Sequence, residues 1–216
     1  MRGRVKSWMV AVVMVPLIAS CSESSKPAPA APAPSAVPVS QAGLVSVTGK
    51  APQGAVVALE STASSDAALP PGPVVMDQRG QQFLPPLLLA RVGQPVEFRN
   101  GEGIAHNVNV TRNVGGTVEF NVSTDPGQAY THRFETTGTY EVACDIHPSM
   151  RASLAIVNTP HAAMAGDFGS FVIMNVPPGT YELVTLYGNE TTRRTVEISG
   201  THTDVDRKVQ GSGASD

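Results

Sequence analysis

From Gly43 to Ile198 apolar and polar residues alternate with a period of two, in short runs broken by Gly and Pro. That pattern predicts strands rather than helices, because successive side chains of a strand point to opposite faces. Val45 and Val47, then Val56 to Leu59, read as two short strands around the turn Pro52-Gln53-Gly54. Val96-Glu97-Phe98, Val108-Asn109-Val110 and Val118 to Val122 follow the same alternation. Tyr130, His132 and Phe134 share one strand face, and past a turn at Gly138 so do Tyr140, Val142 and Cys144. Leu154 to Val157, Ser170 to Met174, Tyr181 to Tyr187 and Arg194 to Ile198 complete the series, the second and third of these flanking the turn Val176-Pro177-Pro178-Gly179. No stretch carries the 3.6-residue period of an amphipathic helix. The expected fold class is all-β, an antiparallel sandwich joined to a second small β-sandwich.

The second sandwich follows from chain length. Residues 160–200 alone fall near the size, about 40 residues, below which a domain rarely stands unaided. They are therefore expected to pack with the early strands of residues 43–62, which leaves 74–157 as a domain inserted between two halves. Residues 201–216 are polar and rich in Gly and Ser, and a frayed tail is expected there.

The first twenty residues read as a targeting segment. Arg2, Arg4 and Lys6 precede a short apolar core from Trp8 to Ile18, too short for a stable membrane span. Ile18-Ala19-Ser20-Cys21 resembles the bacterial lipoprotein processing motif, with an ordinary signal peptide that happens to contain a Cys as the plainer alternative. The lipoprotein reading makes 1–20 a signal peptide, Cys21 the acylated N-terminus and 21–42 a Pro/Ala/Ser-rich spacer that holds a domain off a surface. It implies an exported protein of the cell envelope, anchored to the membrane by lipid and facing the periplasm. The formal net charge of −3, 5% aromatic content and absence of long Lys/Arg runs exclude nucleic acid as a partner.

With Cys21 acylated, Cys144 stands alone in an oxidising compartment where thiols normally pair. Its surroundings supply a reason. Cys144-Asp145-Ile146-His147-Pro148-Ser149-Met150 places a thiolate, an imidazole and a thioether within one tight turn. A His2Cys set with a weak axial Met is the coordination of type 1 (blue) copper, and His106, before the strand Asn107 to Val110, supplies the second imidazole. The expected ligands of a single copper ion are thus His106, Cys144, His147 and, axially, Met150. His132, His161 and His202 form no second metal-binding spacing; His132 reads as a packed or solvated strand residue.

These residues carry a family resemblance. Gly138-Thr139-Tyr140-Glu141-Val142-Ala143-Cys144 followed by His147 resembles the closing strand and ligand loop of plastocyanin-like cupredoxins, and the gap from His147 to Met150 is similar to that of amicyanin. His106-Asn107-Val108 resembles their first-ligand motif. The resemblance implies a Greek-key cupredoxin sandwich and gives Asn107 a hydrogen bond across to the strand that bears the Cys. A wider likeness includes Met76-Asp77-Gln78, Phe83 to Pro85, Val92-Gly93, Phe98 to Asn100 and Val176 to Tyr181. Those stretches resemble bacterial exported plastocyanin-like or methylamine-utilisation-type proteins, in which a cupredoxin is joined to a carboxypeptidase-regulatory-like, transthyretin-type sandwich. Gly166-Asp167-Phe168-Gly169-Ser170-Phe171 departs from the Asp-Gly-x-Phe usual in that sandwich.

A closed ligand set implies a one-electron carrier rather than an enzyme, since catalytic metals keep an open position. His147, beside Ile146 and Pro148, is the expected exit for the electron. The expected partner is a redox protein, a cytochrome or an oxidase or dehydrogenase. The alternatives are a copper carrier or delivery lipoprotein, and a non-redox envelope binding module with structural copper.

Overall fold

A computed structural model describes residues 43–61 and 67–206. The expected signal peptide, Cys21 and the 21–42 spacer lie outside the described residues, as do 207–216. Among the described residues no helix is long and apolar enough to cross a membrane.

Sixteen strands are described: β1 (Val45–Lys50), β2 (Val56–Ser61), β3 (Val74–Gln78), β4 (Phe83–Leu84), β5 (Leu87–Arg91), β6 (Pro95–Asn100), β7 (His106–Arg112) and β8 (Val118–Thr124), then β9 (Ala129–Arg133), β10 (Gly138–Ala143), β11 (Arg151–Val157), β12 (Ala162–Met164), β13 (Ser170–Val176), β14 (Gly179–Tyr187), β15 (Glu190–Ile198) and β16 (His202–Asp204). They form two sandwiches. One has sheets ordered β5-β11-β10-β7-β8 and β4-β3-β6-β9; the other has β13-β1-β16 and β12-β2-β14-β15. The early strands thus share sheets with the late ones: β1 pairs with β13 and β2 with β14, while the central strands stand between them in sequence.

Each sandwich has its own core, built from the inward members of its alternating strands. Met76, Phe98, Val108, Val110, Tyr140, Val142, Leu154 and Ile156 fill the first, and Val45, Val47, Val57, Leu59, Phe171, Ile173, Leu183 and Ile198 fill the second. A Gly-Thr-Tyr triplet opens one strand in each. Tyr140 donates its hydroxyl to the Thr136 carbonyl at 2.8 Å, and Tyr181 donates to the Pro177 carbonyl at 2.9 Å. Such corners fix the turn before a strand while keeping a buried phenol hydrogen-bonded.

A third apolar cluster lies between the sandwiches. Ala155 and Val157 of β11 meet Val56 and Ala58 of β2 and Val184 and Leu186 of β14. Leu154 and Ile156 face the first core, so the second half of β11 is covered on both sides, which is why Leu154 to Val157 is continuously apolar. Thr139 Oγ1 donates to the Gly188 carbonyl at 2.6 Å beside this cluster, and Thr159 Oγ1 donates to the Leu59 carbonyl at 2.7 Å.

Two local features differ from the sequence reading. The polar tail begins later than Gly200, because His202–Asp204 pair in parallel with β1, and Val205 is buried. β1 has β13 on one side only; the backbone of 202–204 satisfies its other edge, a long-range pairing that local polarity does not reveal. The departing segment 166–171 makes a 3-10 turn at Asp167–Gly169, with Phe168 at φ 60° and Gly169 at φ 70°. A side chain at 169 would put its Cβ 2.2 Å from the Ala51 carbonyl oxygen, so glycine is required there.

Candidate metal centre

Strand pairing brings the ligand segments together. β7 and β10 run antiparallel with Val110 opposite Val142 and Asn109 opposite Ala143, so the start of β7 lies beside the end of β10. His106 is the first residue of β7 and Cys144 the first after β10. The chain then turns tightly: the Met150 amide donates to the His147 carbonyl at 2.9 Å, and the Cys144 amide to the Met150 carbonyl at 3.1 Å. These bonds fold His147 back toward Cys144.

The outcome is a triangle of soft and borderline donors. Cys144 Sγ lies 3.9 Å from His106 Nδ1 and 3.8 Å from His147 Nδ1, and the two Nδ1 atoms are 3.1 Å apart. A triangle with those sides holds a point about 2.1 Å from every corner, within the range of metal–nitrogen and close to that of metal–thiolate bonds. The residues therefore fit a single bound ion. Cys144 and His106 are buried and His147 half-buried; among the described residues these three form the one such group of His, Cys and carboxylate side chains. Met150 is fully buried in the same core cluster as Cys144.

Orientation of His106 comes from Glu102, which the sequence reading did not single out. His106 Nε2 lies 2.8 Å from Glu102 Oε2, while Glu102 Oε1 accepts the Gln81 amide at 2.7 Å. A proton on Nε2 shared with the carboxylate leaves Nδ1 as the lone-pair donor facing Cys144. The Gln81 amide first, and His106 second, hold the Glu102 carboxyl below its ordinary value. A depressed carboxyl keeps its anionic grip on His106 through the ordinary carboxylate range and loses it only as pH falls through the lowered value. Asn100 steadies the same loop, its fully buried amide donating to the carbonyls of Ile104 and Thr124, both at 2.8 Å. Glu102→Ala is expected to weaken copper affinity about 10–100-fold, as loss of an outer partner of a metal-binding His does. Competition titration against a chelator measures it, and an unchanged affinity would remove Glu102 from the site.

Asn107 Oδ1 accepts the Asp145 amide at 2.6 Å, a direct tie between the start of β7 and the residue after Cys144. The other imidazoles lie apart from the centre. His132 meets Glu119 at 3.1 Å and packs against Phe120 and Phe134. His161 packs edge-on to Tyr181, with burial pushing its pKa down. His202 Nε2 lies 3.2 Å from Thr48 Oγ1.

Fold and donor set together define a cupredoxin domain in the central segment: residues 73–158 match the family described as copper binding proteins, plastocyanin/azurin family. The chain is similar to amicyanins. It is 27% identical over 113 residues to the amicyanin of Paracoccus versutus, covering 52% of this chain and 86% of that one. It is 31% identical over 86 residues to the amicyanin of Paracoccus denitrificans, covering 39% of this chain and 66% of that one. The crystal structure of Paracoccus versutus amicyanin superimposes with a TM-score of 0.37 at 27% identity, over 47% of this chain and 97% of that chain. A copper-containing nitrite reductase from Thermus scotoductus SA-01 gives a TM-score of 0.38 at 28% identity, over 45% of this chain and 25% of that chain.

Proposed function

We propose that this protein is a one-electron carrier of the bacterial cell envelope, holding one type 1 copper ion through His106, Cys144, His147 and Met150. The observation that carries the reading is the triangle of Cys144 Sγ and the two Nδ1 atoms, already gathered to metal-binding separations and sunk beside an apolar core. Bound there, copper supplies one-electron chemistry between its two oxidation states. The chain supplies everything else. The tight 144–150 loop and the strand pairing hold the donors, so little has to rearrange when an electron moves. Glu102 fixes the tautomer of His106. The buried side of the site excludes water, and the half-buried His147, flanked by Ile146 at 55% exposure, is the route by which a partner's electron reaches it. With Met150 as a fourth donor beside the two imidazoles and the thiolate, a bound copper would be held by protein ligands alone, which argues for a carrier rather than an enzyme.

The partner on this reading is a redox protein such as a cytochrome, an oxidase or a dehydrogenase. Export and lipid anchoring rest on the Arg/Lys-flanked apolar segment and Ile18-Ala19-Ser20-Cys21. The second sandwich is read as a carboxypeptidase-regulatory-like, transthyretin-type domain on the Val176 to Tyr181 motif, and its role as bracing the cupredoxin through the Ala155–Leu186 cluster.

The test mixes copper-loaded protein with a small cytochrome in a stopped-flow instrument, and in parallel with a metal-free copper acceptor. Fast electron exchange with retention of the metal is expected. Rapid loss of copper to the acceptor with sluggish electron exchange would make the protein a delivery factor instead.

A further inference from the structure

The residue between the thiolate and the rest of the ligand loop is an acid, and it is held in an unusual way. Three asparagine amides converge on the Asp145 carboxylate: Asn107 Nδ2 at 2.9 Å and Asn121 Nδ2 at 2.8 Å reach Oδ2, and Asn109 Nδ2 reaches Oδ1 at 3.0 Å. Asn107 Nδ2 also donates to Asn121 Oδ1 at 2.8 Å, which ties the donors to one another. Strand geometry makes the cage. Asn107 and Asn109 are two apart on β7 and share a face, and Asn109 stands directly opposite Asn121 on β8. With the Asp145 amide bonded to Asn107 Oδ1, both backbone and side chain of Asp145 are pinned to two strands that carry no part of the 144–150 loop.

The cage does two things. It ties the side chain of the residue after Cys144 to β7 and β8, and it fixes a carboxylate one residue from Cys144. A fixed anion near a redox ion favours the more positive oxidation state, because the attraction grows with the ion's charge. Resting on the copper reading above, we propose that Asp145, caged by Asn107, Asn109 and Asn121, is a positioning residue that preforms the ligand loop and sets the reduction potential of the centre lower than the four ligands alone would give.

The experiment uses the copper-loaded protein and begins with its visible spectrum. A wild type lacking the thiolate-to-copper band sinks the copper reading itself, and is thereby distinguished from a failure of the present proposal. With the band present, midpoint potentials are measured by mediated redox titration for wild type, Asp145→Asn, Asp145→Ser and the double variant Asn109→Ala/Asn121→Ala. Both neutral replacements of Asp145 are expected to raise the potential, increasing the reduced-to-oxidised ratio at fixed ambient potential about threefold or more. For a one-electron couple that is about 30 mV. The double variant keeps the charge and loosens the cage. It is expected to move the potential less than either Asp145 variant while amide hydrogen exchange at 145–147 in the metal-free protein accelerates severalfold. Potentials unmoved in both Asp145 variants, or moved equally by the double variant, would overturn the electrostatic role. Unchanged exchange in the double variant would overturn the preformed loop.

Discussion

His106→Ala is expected to lower copper affinity by more than the about 10–100-fold that removal of an outer partner costs, whereas His132→Ala leaves it within a factor of about two. The contrast follows from where the two rings sit. His106 presents Nδ1 to the triangle and is fully buried, so its loss removes a ligand and leaves Glu102 facing a cavity. His132 bonds to Glu119 and packs among aromatic rings at the gap between β8 and β9, away from the donors. Chelator competition on both variants measures the difference. Equal effects would place the metal somewhere other than between Cys144 and His147.

The second large effect concerns the seam between the sandwiches. Ala155→Asp buries an unpaired carboxylate at a position with no solvent exposure, among Val56, Ala58, Val184 and Leu186, and is expected to destabilise the protein by about 3 kcal/mol. Ser153→Asp, two residues earlier on the same strand and exposed, should stay within about 0.5 kcal/mol. Because the seam joins β11 of one sandwich to β2 and β14 of the other, the loss should be felt in both. Hydrogen exchange followed by mass spectrometry, read separately on peptides from 87–157 and 170–198, is expected to show faster exchange in the two regions together. Acceleration confined to one would mean that the sandwiches unfold independently and the seam is only a contact.

How far the sequence speaks depends on whether the relevant force is local. Alternation made β6 to β10 legible, because each turns one face toward a core and the other away from it, whereas Leu154 to Val157 of β11 form an unbroken apolar run covered on both sides. β5 was hidden by Leu87-Leu88-Leu89, a run without alternation that follows two prolines; its strand pairs in parallel with β11 and has apolar neighbours on both sides. β12 is three residues long and β16 is polar, and both exist through pairing with strands more than a hundred residues away in sequence. At the centre, His106, Cys144 and His147 were legible because thiolate and imidazole are scarce and their spacing is chemically specific. Glu102 was not: a carboxylate four residues before a His on a loop has no periodic relation to it, and only the folding back of 100–106, held by Asn100, brings the two together. The asparagine cage was equally silent, since Asn121 reaches Asp145 through the register of β7 with β8.

The most direct measurement is a stoichiometric Cu(II) titration of the soluble fragment beginning near Gln41, followed by visible absorption. One equivalent should develop an intense thiolate-to-copper band near ~600 nm and then saturate, the behaviour of a His2Cys site with a weak axial thioether. The band should be absent in Cys144→Ser. A colourless complex, a second equivalent contributing to the band, or a band that survives loss of the Cys144 thiol would contradict the account.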